Sequence, residues 1–247
     1  APAAFWEKLR HSYLQTNEIG RSIAWLLPAA AAFRPRNLAF HLVEMGAAAG
    51  LNLIGDHIPH SCRVISTQER LPGLPSNWGG MPYDVLTRTG LDRRPLQLSR
   101  TEDRLWLKAC VWADDLARLE SLERTFNLYL TLKTPSEPKL ERIDFSGMPD
   151  WLRSRRRPHP EQGLLVFNTA ATIFLPDVEY ARLRKQMADV LAPWKDRAIW
   201  VECELPRGST SGTHELAVHR MINGKLRTRT LALMDARPRE VRLLDGW

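Results

Sequence analysis

The sequence predicts an α/β fold: a mostly parallel sheet between layers of helices, with helices in front of it and an antiparallel hairpin behind. Three observations carry this. Short apolar runs at residues 38–45, 83–87, 140–144, 164–167 and 198–204 alternate with helical stretches, the order of parallel βαβ units. The first run meets the turn Gly46-Ala47-Ala48-Ala49-Gly50, and a helix begins at Leu51-Asn52-Leu53-Ile54. Near the end, Asn223-Gly224 separates two strand-like runs. Both central residues of a type I′ hairpin turn need positive φ, which this pair accepts readily.

The elements follow in order. Phe5, Trp6, Leu9, Tyr13 and Leu14 recur at helical spacing. Thr16 or Asn17 is placed to cap a second helix over 18–33, which Arg34-Pro35-Arg36-Asn37 stops. Residues 1–37 thus form an N-terminal helical segment and 38–247 the sheet domain. An insertion at 58–82, rich in Pro, Gly and Ser, reads as a loop with a short strand at 62–66. Helix is expected over 101–132, interrupted near Trp112-Ala113-Asp114, and again over 149–156 and 176–191. The hairpin pairs 215–222 with 226–234, and 241–244 adds an edge strand.

Composition excludes several classes. The chain of 247 residues is 44% hydrophobic and 26% charged, which supports a packed core and rules out wholesale disorder. No apolar run reaches the roughly 18 residues of a membrane helix. The stretch 22–33 contains Pro28, is short, and lies behind a charged amphipathic segment, so it is a poor signal peptide. The chain opens Ala1-Pro2 without Met, as a trimmed start would. Three widely spaced cysteines, Cys62, Cys110 and Cys203, argue against a disulfide framework and for a reducing, cytoplasmic setting.

The net charge is +7, and of 35 basic residues only 7 are Lys. Arg favours phosphate and carboxylate recognition through its planar fork, although an ordinary solvated surface gives the same count. The densest basic run, Arg153-Ser154-Arg155-Arg156-Arg157 beside Trp151, has the residue types to grip and stack a nucleic acid, and a solvated loop is the commoner outcome. Asp56-His57-Ile58-Pro59-His60-Ser61-Cys62 has metal-ligand residue types. Pro59 breaks helical i, i+4 geometry and no second ligand pair stands at zinc spacing, so no metal site is expected.

Chemistry concentrates at the first turn, since ligands of parallel sheets sit outside the strands' carboxyl ends. The nicotinamide fingerprint G-x-G-x-x-G would need Gly at 48 and 51, where the chain has Ala48 and Leu51. An oxidoreductase using that cofactor is therefore disfavoured, and no Gly-Lys-Ser/Thr phosphate loop is present. An acid followed by small residues does fit: Glu44, Gly46, Ala48, Gly50, then Asn52. This resembles the first motif of class I S-adenosylmethionine-dependent methyltransferases, in which a bare turn lets backbone approach the methionine and ribose parts of the cofactor. Asp92, after the second strand, is placed to accept ribose hydroxyls, and the resemblance to that class implies that Asp144, at the end of the third, stands near the adenine amino group. Each also reads as an ordinary turn or cap residue.

Longer words point the same way. Gln15-Thr16-Asn17-Glu18-x-Gly20-Arg21, the stretch from Leu42 to Leu53, Gly90-Leu91-Asp92-x-x-Pro95, Val111-Trp112-x-Asp114 and Val166-Phe167-x-Thr169-Ala170 resemble the bacterial family filed as domain of unknown function 2332. The resemblance implies a Rossmann-like three-layer sandwich of the methyltransferase type and implies no activity. Two departures stand out: Ala48 replaces the serine of the family's turn, and Asn168 stands where a His is expected.

The leading expectation is a methyltransferase with S-adenosylmethionine as cofactor and an unidentified acceptor. Asn17, Glu18, Arg21 and Thr169 would face the substrate, with Asn168 as the candidate catalytic group. Glu202 and Glu204 straddle Cys203 and are read as facing opposite sides of the fifth strand. The rival expectation is a non-catalytic Rossmann-like module binding a nucleotide, nucleic acid or protein.

Overall fold

The computed structural model describes residues 6–7, 10, 18–60, 62–65, 83–133 and 137–244. Most of the expected helix at 5–15, the caps Thr16 and Asn17, and 66–82 of the insertion lie outside the described residues.

The fold is a mixed α/β sandwich around one nine-stranded sheet. In chain order the strands are β1 (Ala39–Met45), β2 (Arg63–Ile65), β3 (Val85–Asp92), β4 (Lys139–Arg142), β5 (Gln162–Thr169), β6 (Ala198–Glu204), β7 (His214–Ile222), β8 (Lys225–Met234) and β9 (Glu240–Leu243). Across the sheet they run β2-β9-β8-β7-β6-β5-β1-β3-β4. The five strands from β6 to β4 are parallel, and β7, β8 and β9 add on antiparallel beyond β6. The chain moves from β1 outward to β3 and β4, then returns to β5 on the other side. The carboxyl ends of β1 and β5 therefore bound the crevice where such sheets bind ligands.

Helices cover both faces, so the central strands are buried on both sides. α1 (Ile23–Ala32) is apolar all round and buried from Ile23 to Ala30, as a helix sunk in a core must be. It packs on Leu42, Leu165, Phe167, Ile199 and Val201, and the Trp25 indole donates to the Asn52 carbonyl at 2.7 Å. The opposite face, with Val43, Met45, Val166 and Trp200, packs on α4 (Met148–Arg155) and α5 (Asp177–Leu191). α2 (Thr101–Ala109) and α3 (Leu116–Thr131) bring Leu107, Leu122 and Phe126 onto Leu51 and Ile54. Among the described residues no helix is long and apolar enough to cross a membrane.

Four expectations change. The helix expected from Leu51 is a kinked 3-10 segment, Leu51–His57, with Ile54 off helical geometry. Gly55 abuts Ser22, and Asp56 is drawn into a buried bidentate pair with Arg88 at 2.7 and 2.6 Å, which holds this stretch to β3 instead of letting it wind on. The second strand continues to Asp92, because residues 89–91 pair with β1 and residues 89–92 with β4. The segment at 241–244 is not an edge strand, since β2 pairs parallel to β9 and takes the edge itself. Finally, α1 is preceded by a 3-10 turn, Ile19–Ser22. The hairpin turn is as expected, with Asn223 at φ +50 and Gly224 at φ +72.

Candidate functional site

The turn after β1 is built on alternating left-handed residues: Gly46 at φ +77, Ala48 at φ +51 and Gly50 at φ +70. Glycine adopts these angles without strain, whereas alanine pays on the order of 1–2 kcal/mol. Ala48 is held there from both ends. Its N–H donates to Asp92 Oδ2 at 2.8 Å, and its carbonyl accepts from the Leu96 N–H at 3.0 Å. The Gly46 and Ala47 amides donate to the Leu91 carbonyl at 2.8 and 3.2 Å. The turn thus leans on the end of β3. The half-buried Asp92 carboxylate, which also accepts from the Arg94 N–H at 2.7 Å, stands at its lip.

Glu44 and Asn52 lie beneath the turn, both buried, with Asn52 Nδ2 donating to Glu44 Oε1 at 3.0 Å. Burial pushes the Glu44 carboxyl up to about 8; the Asn52 bond opposes this and the Asp92 charge adds to it. The group is therefore neutral at pH 7. Its Oε2 and Asn52 Oδ1 are buried with no hydrogen-bond partner among the described residues, and a proton on Glu44 avoids leaving a buried charge unpaired there. Glu44 braces the turn from below and offers no carboxylate to solvent.

Asp144 is exposed and lies 3.2 Å from Arg93. The next residue, Phe145, points inward. A Cβ on Gly46 would sit 3.6 Å from the Phe145 ring and 2.7 Å from Ala171 Cβ. Beside Gly46, then, the protein's own side chains make the closest approach, whereas the Ala48–Asp92 side presents a half-buried carboxylate. Asp92 offers the acceptor that a nucleoside's ribose hydroxyls would need; the Gly46 side is shaped by Phe145 and Ala171.

At the end of β5, Thr169 is half-buried and Asn168 fully buried. Asn168 Oδ1 accepts from the Trp200 indole at 2.8 Å, and Nδ2 reaches Glu204 at 2.6 Å, Thr172 at 3.3 Å and Glu202 at 3.4 Å. These bonds account for its amide, so Asn168 serves as a bracket between strands. The two glutamates share one face, because strand residues two apart do; the expectation of opposite faces ignored that period. Glu204 accepts from the Ala171 and Thr172 amides at 2.9 and 3.1 Å. Burial nevertheless pushes its pKa upward. Glu202 accepts from Thr172 Oγ1 at 2.9 Å and Tyr180 at 2.7 Å and lies 2.9 Å from His219 Nε2. Burial opposes its ionisation, but His219 and the two hydroxyls outweigh this and lower its pKa. Sequence reading missed this network, because Tyr180, Glu202 and His219 come from three separate elements with no common spacing.

Glu18 and Arg21 pair with separate partners. Glu18 Oε2 meets Arg118 Nε at 3.3 Å, and Arg21 Nε donates to the Ala236 carbonyl at 3.0 Å. Both line a cavity of about 410 Å³ together with Val111, Trp112, Arg118 and Arg237. Asn17 lies outside the described residues.

The remaining motifs are engaged elsewhere. Trp151 carries the Arg156 guanidinium 5.0 Å over its ring, and Arg156 donates to Thr89 Oγ1 at 2.7 Å. In the 56–62 stretch Asp56 is bound to Arg88, and His60 Nε2 lies 2.6 Å from the Gly55 carbonyl.

A comparison with curated proteins gives no match. A family model described as an uncharacterized protein conserved in bacteria (DUF2332) matches residues 2–242. This span holds the glycine turn, Asp92 and both motifs that border the Arg21 cavity, and the chain belongs to that family.

Proposed function

We propose that the protein binds S-adenosylmethionine between the 46–50 turn and the end of β3, and transfers its methyl group to an acceptor. The supporting observation is the Ala48–Asp92 contact, which sets a half-buried carboxylate against a turn of small residues on adjacent strands, next to the sheet's reversal point. Asp92 would accept the ribose hydroxyls, the turn's backbone would face the methionine part, and Asp144 would flank the base. Glu44 and Asn52 hold the turn's shape. The cofactor supplies an activated methyl on a sulfonium; the chain's part is positioning, which can account for most of such a displacement's acceleration. The absence of a base at Asn168 does not oppose this, because a base is needed only for an acceptor that must lose a proton.

A second reading is a non-catalytic binding module. The contact of Gly46 with Ala171 and Phe145, and the full engagement of Asn168, favour it. Calorimetric titration with S-adenosylhomocysteine separates the two. The first reading expects binding that Asp92→Ala weakens about tenfold or more, as loss of charge-assisted bonds does. Heat that stays at the dilution level up to millimolar ligand would leave only the second.

A further inference from the structure

Arg21 is 8% exposed. A guanidinium carries five N–H donors, and among the described residues only the Nε bond to the Ala236 carbonyl engages this one. Among the described residues no carboxylate lies within 4 Å of it. The neighbouring charges are already matched: Arg118 with Glu18 at 3.3 Å, and Arg237 with Asp115 at 2.7 Å. A buried cation without a counter-charge is costly, and this one lines the 410 Å³ cavity. That volume suits a small metabolite. The cavity's positive side is formed by Arg21, Arg118 and Arg237, and its apolar side by Val111 and Trp112. Trp112 is 75% exposed, so most of its indole surface is open.

We propose that this cavity binds a small oxyanion, a carboxylate or a phosphate ester, with its anionic end on Arg21 and an apolar or aromatic body against Trp112. The planar fork of Arg suits either group. The site stands apart from the methyl-donor reading and does not depend on it.

The test titrates the whole chain with phenylacetate, phenyl phosphate and the neutral phenylacetamide, by calorimetry or ligand-observed NMR. At least one anion should bind, and about tenfold or more tighter than the amide. The tighter of the two anions identifies the group the cavity takes. Arg21→Gln should weaken anion binding about tenfold, and Trp112→Ala, at an exposed position, should weaken it several-fold with an unchanged melting temperature. Anion binding equal to that of the amide, or undetectable at about 10 mM, would overturn the proposal. So would an unchanged affinity in Trp112→Ala, a readout that holds even if Arg21→Gln fails to fold.

Discussion

The Ala48 amide and the Asp92 carboxylate meet at 2.8 Å across two adjacent parallel strands. This one bond explains two things. It holds an alanine at φ +51, where glycine would be at ease, and it fixes the orientation of the acid that a ribose would meet.

Ala48→Gly removes the strain of that angle. It should stabilise the fold by about 1 kcal/mol, less the entropy glycine brings to the unfolded chain. The midpoint of a urea titration reads this directly. Ala48→Val should move the midpoint the other way, because a β-branched residue is poorly tolerated at positive φ.

The Glu44 carboxyl titrates near 8 in the folded protein, against 4.5 for the free side chain. The folded state therefore holds the proton more tightly. This group's stability is fully present below about pH 4.5 and is lost as the pH rises through about 8. Glu44→Gln keeps a neutral donor and acceptor for Asn52. It should flatten that part of the pH profile, making the variant relatively more stable at pH 9 than at pH 5, by on the order of a few kcal/mol. Parallel pH profiles for the two proteins would count against a neutral Glu44.

Arg88 and Asp56 form a bidentate pair with side chains 2% and 5% exposed. Removing either partner strands a buried charge. Arg88→Met or Asp56→Ala should cost about 3–5 kcal/mol and loosen the 51–57 segment, read as faster amide hydrogen exchange there.

The sheet was legible because its signals are local. The apolar run before Gly46, the Asn223-Gly224 turn and the helical stretch expected over 176–191 each specify one element, and the structure places all three, the helix at Asp177–Leu191. The extension of β3 to Asp92 was hidden by Arg88-Thr89-Gly90, residues typical of turns. Gly90 is in fact required because Ala47 and Leu140 crowd it; a Cβ there would lie 2.7 and 2.6 Å from their side chains. The path of the insertion to the far edge was illegible, since nothing in residues 63–65 names β9 as their partner. At the site, spacing located Glu44, Asp92 and the turn, but gave no sign that Glu44 would be consumed by Asn52 or Asn168 by Trp200 and Glu204. The Arg21 cavity was half visible: Glu18, Arg21 and Trp112 stood out as words, while Arg118 and Arg237 did not.

A crystal structure grown with saturating S-adenosylhomocysteine tests the central claim most directly. The ribose hydroxyls should lie within hydrogen-bonding distance of the Asp92 carboxylate, with the nucleoside against the 46–50 turn. Clear density for the ligand elsewhere, or an unaltered turn with no ligand at saturation, would contradict it.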